Sequence, residues 1–125
     1  VTVSDIDEYN ERRAFEKARK KLEKKELRKH ERGARAKVRG EGRCRNPDCR
    51  TGQRPEWHHI VPRSQFASRN HLQNHEDNAV PLCHHCHMTW HQNVTVLRRS
   101  DLKASEVAFI LENAGQHFLD RHYPE

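Results

Sequence analysis

The feature that most constrains this chain is an array in its middle third: Cys44-x4-Cys49, His58-His59, Asn78, Cys83-x2-Cys86-His87 and His91. Four cysteines in two pairs can close one tetrahedral site, since structural zinc takes four thiolates, or three and an imidazole. Joining the pairs closes a long loop that contains the His-His doublet. The four thiols could instead form two disulfides. Richness in Lys, Arg and His and the knuckle-like spacing favour the metal. The x4 gap is looser than x2, so His84 or His85 could replace one thiolate. We favour Zn2+ on Cys44, Cys49, Cys83 and Cys86, which leaves no reactive thiol. The histidines are then surplus to the structural site.

Composition says why a metal would matter. Leu, Ile, Val and Phe supply 23 of 125 residues, about 18%, against 34% charged. A core that small commonly needs a disulfide or a metal, and metal binding energy becomes folding energy. The net charge of +6 favours a polyanionic partner such as nucleic acid. The excess is local. Residues 8–37 hold 13 Lys/Arg and 6 Asp/Glu; the rest hold 11 and 12. A solvated, charge-laced helix is the other reading of that segment. No apolar stretch has transmembrane length and there is no secretory h-region. The expectation is a cytoplasmic protein without a membrane partner.

The length suits one domain with an appended arm: residues 1–40 as a basic helical arm, 41–125 as the metal domain with a C-terminal helix. Residues 8–32 lack Gly and Pro and favour helix. Phe15, Ala18 and Leu22 form a short apolar stripe that fades after Leu27, so the helix should pack only partly. Gly33, Gly40 and Gly42 read as a hinge. Asn46-Pro47-Asp48 is turn chemistry between the first two cysteines. Glu56 to Val61 reads as a strand ended by Pro62, 63–77 as a loop, Ala79 to Leu82 as a second strand, and His84 to Trp90 as a helix. A last helix should start near Ser100 or Asp101 as cap, with Val107, Ile110 and Leu111 on one face and Gly115 at its C-terminal cap. The tail from His117 to Pro124 should fold back on the core. The fold class is small α+β: strand–strand–helix around a zinc, flanked by helices.

Neighbouring residues on a strand face opposite ways. His58 and His59 therefore cannot easily chelate one ion together, but one can bind a metal while the other works across a substrate. His87 and His91, at i and i+4, share a helix face and make a two-histidine half-site. With His58 or His59 they give three ligands and an open position. His30, His71, His75, His117 and His122 read as solvated. Trp57 and Trp90 read as core packing. Arg63 is a candidate phosphate contact, with plain surface charge as its other reading.

Trp57-His58-His59-Ile60-Val61-Pro62, Asp77-Asn78-Ala79-Val80-Pro81-Leu82-Cys83-His84-His85-Cys86-His87 and His91 together resemble the HNH (ββα-metal) endonuclease family. With the first cysteine pair the resemblance covers residues 43–91, about forty per cent of the chain. It implies a treble-clef-like core. His59 would be the general base that activates water. His58, His87 and His91 would hold one catalytic divalent ion: Mg, Mn, Ni, Co or Zn. Asn78 would brace the base-bearing loop, and the four cysteines would hold an accessory Zn2+. The physics agrees. Imidazole titrates near the pH at which such a base works, and a cation neutralises the charge that develops on phosphorus and the leaving oxygen.

The Ala-Gly-Gln-His-Phe-Leu segment and the Arg-His-Tyr-Pro end resemble tails of phage-encoded HNH proteins. That implies a phage origin, a site of action in host cytoplasm, and a phage terminase as partner. The expectation is a metal-dependent hydrolase, an endonuclease that nicks or cuts DNA with little sequence preference. The alternative is a zinc-stabilised DNA- or protein-binding adaptor with an inactive site.

Overall fold

The computed structural model describes residues 2–66 and 71–125. Among them are four α-helices and one two-stranded antiparallel sheet. Part of the expected 63–77 loop lies outside the described residues; the rest forms short 3-10 turns at Arg63–Gln65, His71–Asn74 and Glu76–Asn78.

Helix α1 runs Val3–Glu41, about 58 Å at 1.5 Å per residue. Its start is a capping box. Thr2 Oγ1 accepts from the Asp5 amide at 3.2 Å, and the Asp5 carboxylate accepts from the Thr2 amide at 3.2 Å. The expected hinge at Gly33 and Gly40 is not there. The helix passes through both, since one glycine costs only about 1 kcal/mol against Ala. Gly42 alone ends it, at φ 67°, with its amide bonded to the Val38 carbonyl. The Phe15–Leu22 stripe does not pack: Phe15 is 72% and Leu22 64% exposed. Burial comes later, at Ala34 and Val38, which meet Ala79 and Trp57.

Strands β1 (Pro55–His59) and β2 (Ala79–Cys83) pair with His58 opposite Val80 and His59 opposite Ala79. β2 is wholly buried. β1 stops two residues short of the expected Val61, because Asn78 takes both backbone groups of Val61. Its Oδ1 accepts from the Val61 amide at 2.7 Å and its Nδ2 donates to the Val61 carbonyl at 3.0 Å. Helix α2 (His84–His91) follows β2 directly, with the Cys83 sulfur accepting from the Cys86 amide.

The last helices differ from expectation at their start. Arg99–Asp101 is a separate 3-10 turn, closed by the Asp101 carboxylate on the Arg98 amide. Helix α3 (Ala104–Asn113) begins later, where the Glu106 carboxylate accepts from the Lys103 amide at 2.7 Å. Gly115, at φ 90°, turns the chain into α4 (Gln116–His122). Leu119 and Tyr123 fold back into the core beside Ile60, Val80, Leu82 and Ile110.

A buried ion cluster joins these parts. Glu106 is fully buried and accepts from Lys37 at 2.6 Å and from Arg45 at 2.7 Å. Arg45 also donates to Glu41 at 2.6 Å. Burial works against the Glu106 charge, yet its bonds from Arg45, Lys37 and the Lys103 amide hold the carboxyl below its ordinary value. Among the described residues, no helix is long and apolar enough to cross a membrane.

Candidate metal centre and histidine face

Cys44 and Cys49 sit on the turn after α1; Cys83 and Cys86 sit at the junction of β2 and α2. The turn is shaped by Asn46. Its side chain accepts from the Asp48 amide at 3.0 Å and its carbonyl accepts from the Cys49 amide at 3.1 Å. The Arg45 amide donates to the Pro81 carbonyl at 2.8 Å, which holds this turn against β2. All four sulfurs lie within 4.8 Å of one another, with Cys49 and Cys83 at 3.6 Å. Metal–sulfur bonds of about 2.3 Å place the sulfurs of a tetrahedron about 3.8 Å apart. The four thiols are unbridged. The set can hold a metal ion and matches the donors of a structural zinc site. Thr51 hydrogen bonds bring the Cys49 thiol down to about 6, whereas burial pushes Cys86 up to about 12. Metal uptake must therefore displace protons.

The histidine doublet splits across the sheet as the strand period requires. His58 is buried, 1% exposed, on the side facing α2 and α4. Its Nε2 lies 3.1 Å from the Tyr123 hydroxyl, which donates to the Ile60 carbonyl at 2.9 Å. Its ring meets His87 edge-on at 5.3 Å and Trp90 at 5.0 Å. His87 and His91, one turn apart, have ring centres 4.8 Å apart. Among the described residues the cysteines are the group whose donor atoms all fall within 4.8 Å. The imidazoles of His58 and His91 each neighbour that of His87, with ring centres 5.3 Å and 4.8 Å away. His91 is exposed, at the border of an open cleft of about 540 Å3 that Trp90, Arg121 and His122 also line.

His59 points the other way, stacked on Trp57 at 4.4 Å and 15°. Burial is the main reason its ring titrates low, at about 4, helped by the Arg63 guanidinium. Asn74 is close enough to favour the charged ring, yet neither His59 Nε2 nor Asn74 Oδ1, both buried, completes a hydrogen bond. Arg63 is exposed on the turn after the doublet. Asn78 is fully buried, and besides Val61 it donates to the Gln73 carbonyl at 2.9 Å. It thus ties the segment that follows His59 to the turn that precedes β2.

Sequence reasoning missed three residues here. Glu56 accepts from His84 Nδ1 at 2.8 Å and His87 Nδ1 at 3.1 Å. A carboxylate accepts only, so Nδ1 of His87 carries a proton, and in the neutral ring Nε2 keeps the free lone pair. Its position two residues before His58, on the same strand face, was the available signal. Tyr123 and Asn74 gave no local signal. Nor are His30, His71 and His75 simply solvated. His30 on α1 stacks on His71 at 5.1 Å and on His75 at 5.8 Å, and His75 stacks on Phe109. His122 packs against Phe118 at 4.4 Å.

No family model, curated protein or solved structure matches this chain.

Proposed function

We propose that this protein is a metal-dependent endonuclease of the ββα-metal type that hydrolyses phosphodiester bonds in DNA. One observation carries the reading: the doublet presents His58 to the α2 histidines and His59 to the opposite face of β1. A base and a cation on opposite sides of a phosphate serve in-line attack by water. Three imidazoles are the donors that would hold the ion. His87 offers Nε2, His91 is exposed on the same helix, and His58 meets His87. When bound, such a cation would neutralise charge on the phosphate and the leaving 3′ oxygen. His59, neutral at pH 7, would accept the water proton as the oxygen attacks phosphorus. Asn78 would keep the segment after His59 in register, and Arg63 would contact a phosphate. The exposed basic strip of α1, including Arg12, Arg13, Lys17, Lys20, Lys21 and Lys24, would add contacts that position the duplex without reading sequence.

The test is plasmid cleavage by protein stripped with mild chelator and resupplied with Mg, Mn, Co, Ni or Zn, beside His59→Ala. We expect nicking or linearisation with particular ions, and a fall of about 10²–10⁴-fold in His59→Ala with DNA binding retained. Equal activity in both proteins would remove His59 as base. A second reading, a zinc-stabilised DNA- or protein-binding adaptor, is favoured by the four cysteines, which among the described residues are the set gathered closely enough to hold an ion. Binding without cleavage at any ion would select it.

A further inference from the structure

We propose that Tyr123 is a positioning residue for His58: its hydroxyl accepts the His58 Nε2 proton and so presents Nδ1 as the ring's free donor. The role assigned to that donor rests on the endonuclease reading; the ring assignment does not. The argument is a count of hydrogens. Tyr123 has one hydroxyl hydrogen, and the Ile60 carbonyl, 2.9 Å away, can only accept. The hydrogen goes there, which leaves the hydroxyl oxygen to accept from His58 Nε2 at 3.1 Å. The reverse choice would strip the donor from a carbonyl on a fully buried residue, an expensive loss in a dry interior. His58 is itself only 1% exposed, so water cannot easily substitute.

The arrangement has little freedom. Tyr123 is fully buried, stacked on Trp90 at 4.8 Å and 22°, and its amide continues α4 by bonding the Leu119 carbonyl at 2.8 Å. The Ile60 carbonyl belongs to the residue that follows the doublet. One hydroxyl therefore fixes both the backbone just beyond His59 and the ring of His58. His87 receives matching treatment from Glu56, which holds its Nδ1 proton and frees Nε2. Partners that orient a ligating histidine through its other nitrogen commonly tune metal affinity 10–100-fold. Tyr123, at the end of α4 and 65 residues from His58 in sequence, thereby becomes part of the site.

The experiment is long-range 15N–1H correlation of the histidine rings in the zinc-loaded 125-residue chain at pH 7.5, with His58 assigned by His58→Asn. Tyr123→Phe, which keeps the ring and its stack, is measured beside it, and both are titrated with Ni2+ as probe ion. The proposal expects an Nε2–H ring at His58 in the native chain and a shift towards the Nδ1–H form in Tyr123→Phe. It also expects Ni2+ affinity to fall at least about tenfold while the four-cysteine zinc stays bound. An Nδ1–H ring in the native chain overturns the proposal, and needs no variant to fold. So does a tautomer and Ni2+ affinity unchanged by Tyr123→Phe. If the ring shifts as expected but neither protein binds Ni2+, Tyr123 controls His58 and the endonuclease reading is what fails.

Discussion

The two ends of α1 share one backbone and almost nothing else. From Val3 to about Glu26 every residue is exposed, and the strip from Tyr9 to Lys24 is dominated by Lys and Arg. From Ala34 to Glu41 the same helix is tied down. Ala34 and Val38 are buried on Ala79 and Trp57, while Lys37 and Glu41 enter the ion cluster around Glu106 and Arg45. Helicity in the first part rests on composition, a capping box and i,i+4 pairs such as Arg19–Glu23. In the second part tertiary packing carries it. A continuous helix thus joins a segment shaped by charge to a segment shaped by burial, and the join lies near His30.

The largest way to break this contrast is Glu106→Ala. It would leave Lys37 and Arg45, both mostly buried, without their carboxylate. Loss of one partner of a buried pair costs about 3–5 kcal/mol, and we expect a loss of that order in urea unfolding. Charge loss on the arm, for example Lys20→Ala, should change the same curve by less than about 0.5 kcal/mol.

Acid should loosen the join. Burial, with His71 and His75 opposite, lowers the His30 pKa, against Glu26, which raises it; Lys29 adds to the lowering. A depressed imidazole means that the unfolded chain binds more protons. The stability from this stack is therefore present above about pH 6.5 and lost as pH falls below it. Residue-resolved hydrogen exchange, corrected for intrinsic rates, should show the amides of Leu27–Val38 losing protection between pH 7.5 and 5.5. Protection there that is flat with pH would separate His30 from the anchor.

Smaller effects sharpen the comparison. Gly33 and Gly40 have helical backbones, and nothing lies within 4 Å of a Cβ added at either. Each Gly→Ala should stabilise by roughly 0.5–1 kcal/mol, read as a raised denaturation midpoint. Removal of residues 1–26 should be nearly neutral for unfolding of the remainder. If the chain binds DNA as proposed, the same removal should weaken that binding and flatten its salt dependence. An unchanged salt slope would make the arm's charge incidental to binding.

How much was legible depended on the distance between partners in sequence. The two strands taken singly, the cysteine turn and α2 follow from signals within a few residues: the His58-His59 alternation, Asn46-Pro47-Asp48, and Cys83 entering a helix. Glu106 as the hub for Lys37 and Arg45 was not legible, since 69 and 61 residues separate them. The start of α3 was misplaced because Glu106 supplies the cap that Ser100 or Asp101 seemed to offer. The stripe from Phe15 to Leu22 misled for the opposite reason: apolar spacing is local, but the surface it would pack on has to be supplied elsewhere. Tyr123 combines both problems. It looks like an ordinary terminal aromatic until α4 returns it to His58.

The bare part of α1 also bears on how this chain can vary. Residues that pack on nothing answer to no neighbour's volume, so substitution from Val3 to about Glu26 is open to any residue that keeps a helix. Only what the arm binds can penalise a change there. Ala34 is under the opposite regime. Fully buried against a strand and an indole, it admits little beyond a methyl group. Within one helix, the anchor can drift only by altering its contacts in concert, while the arm is free to be retuned one charge at a time.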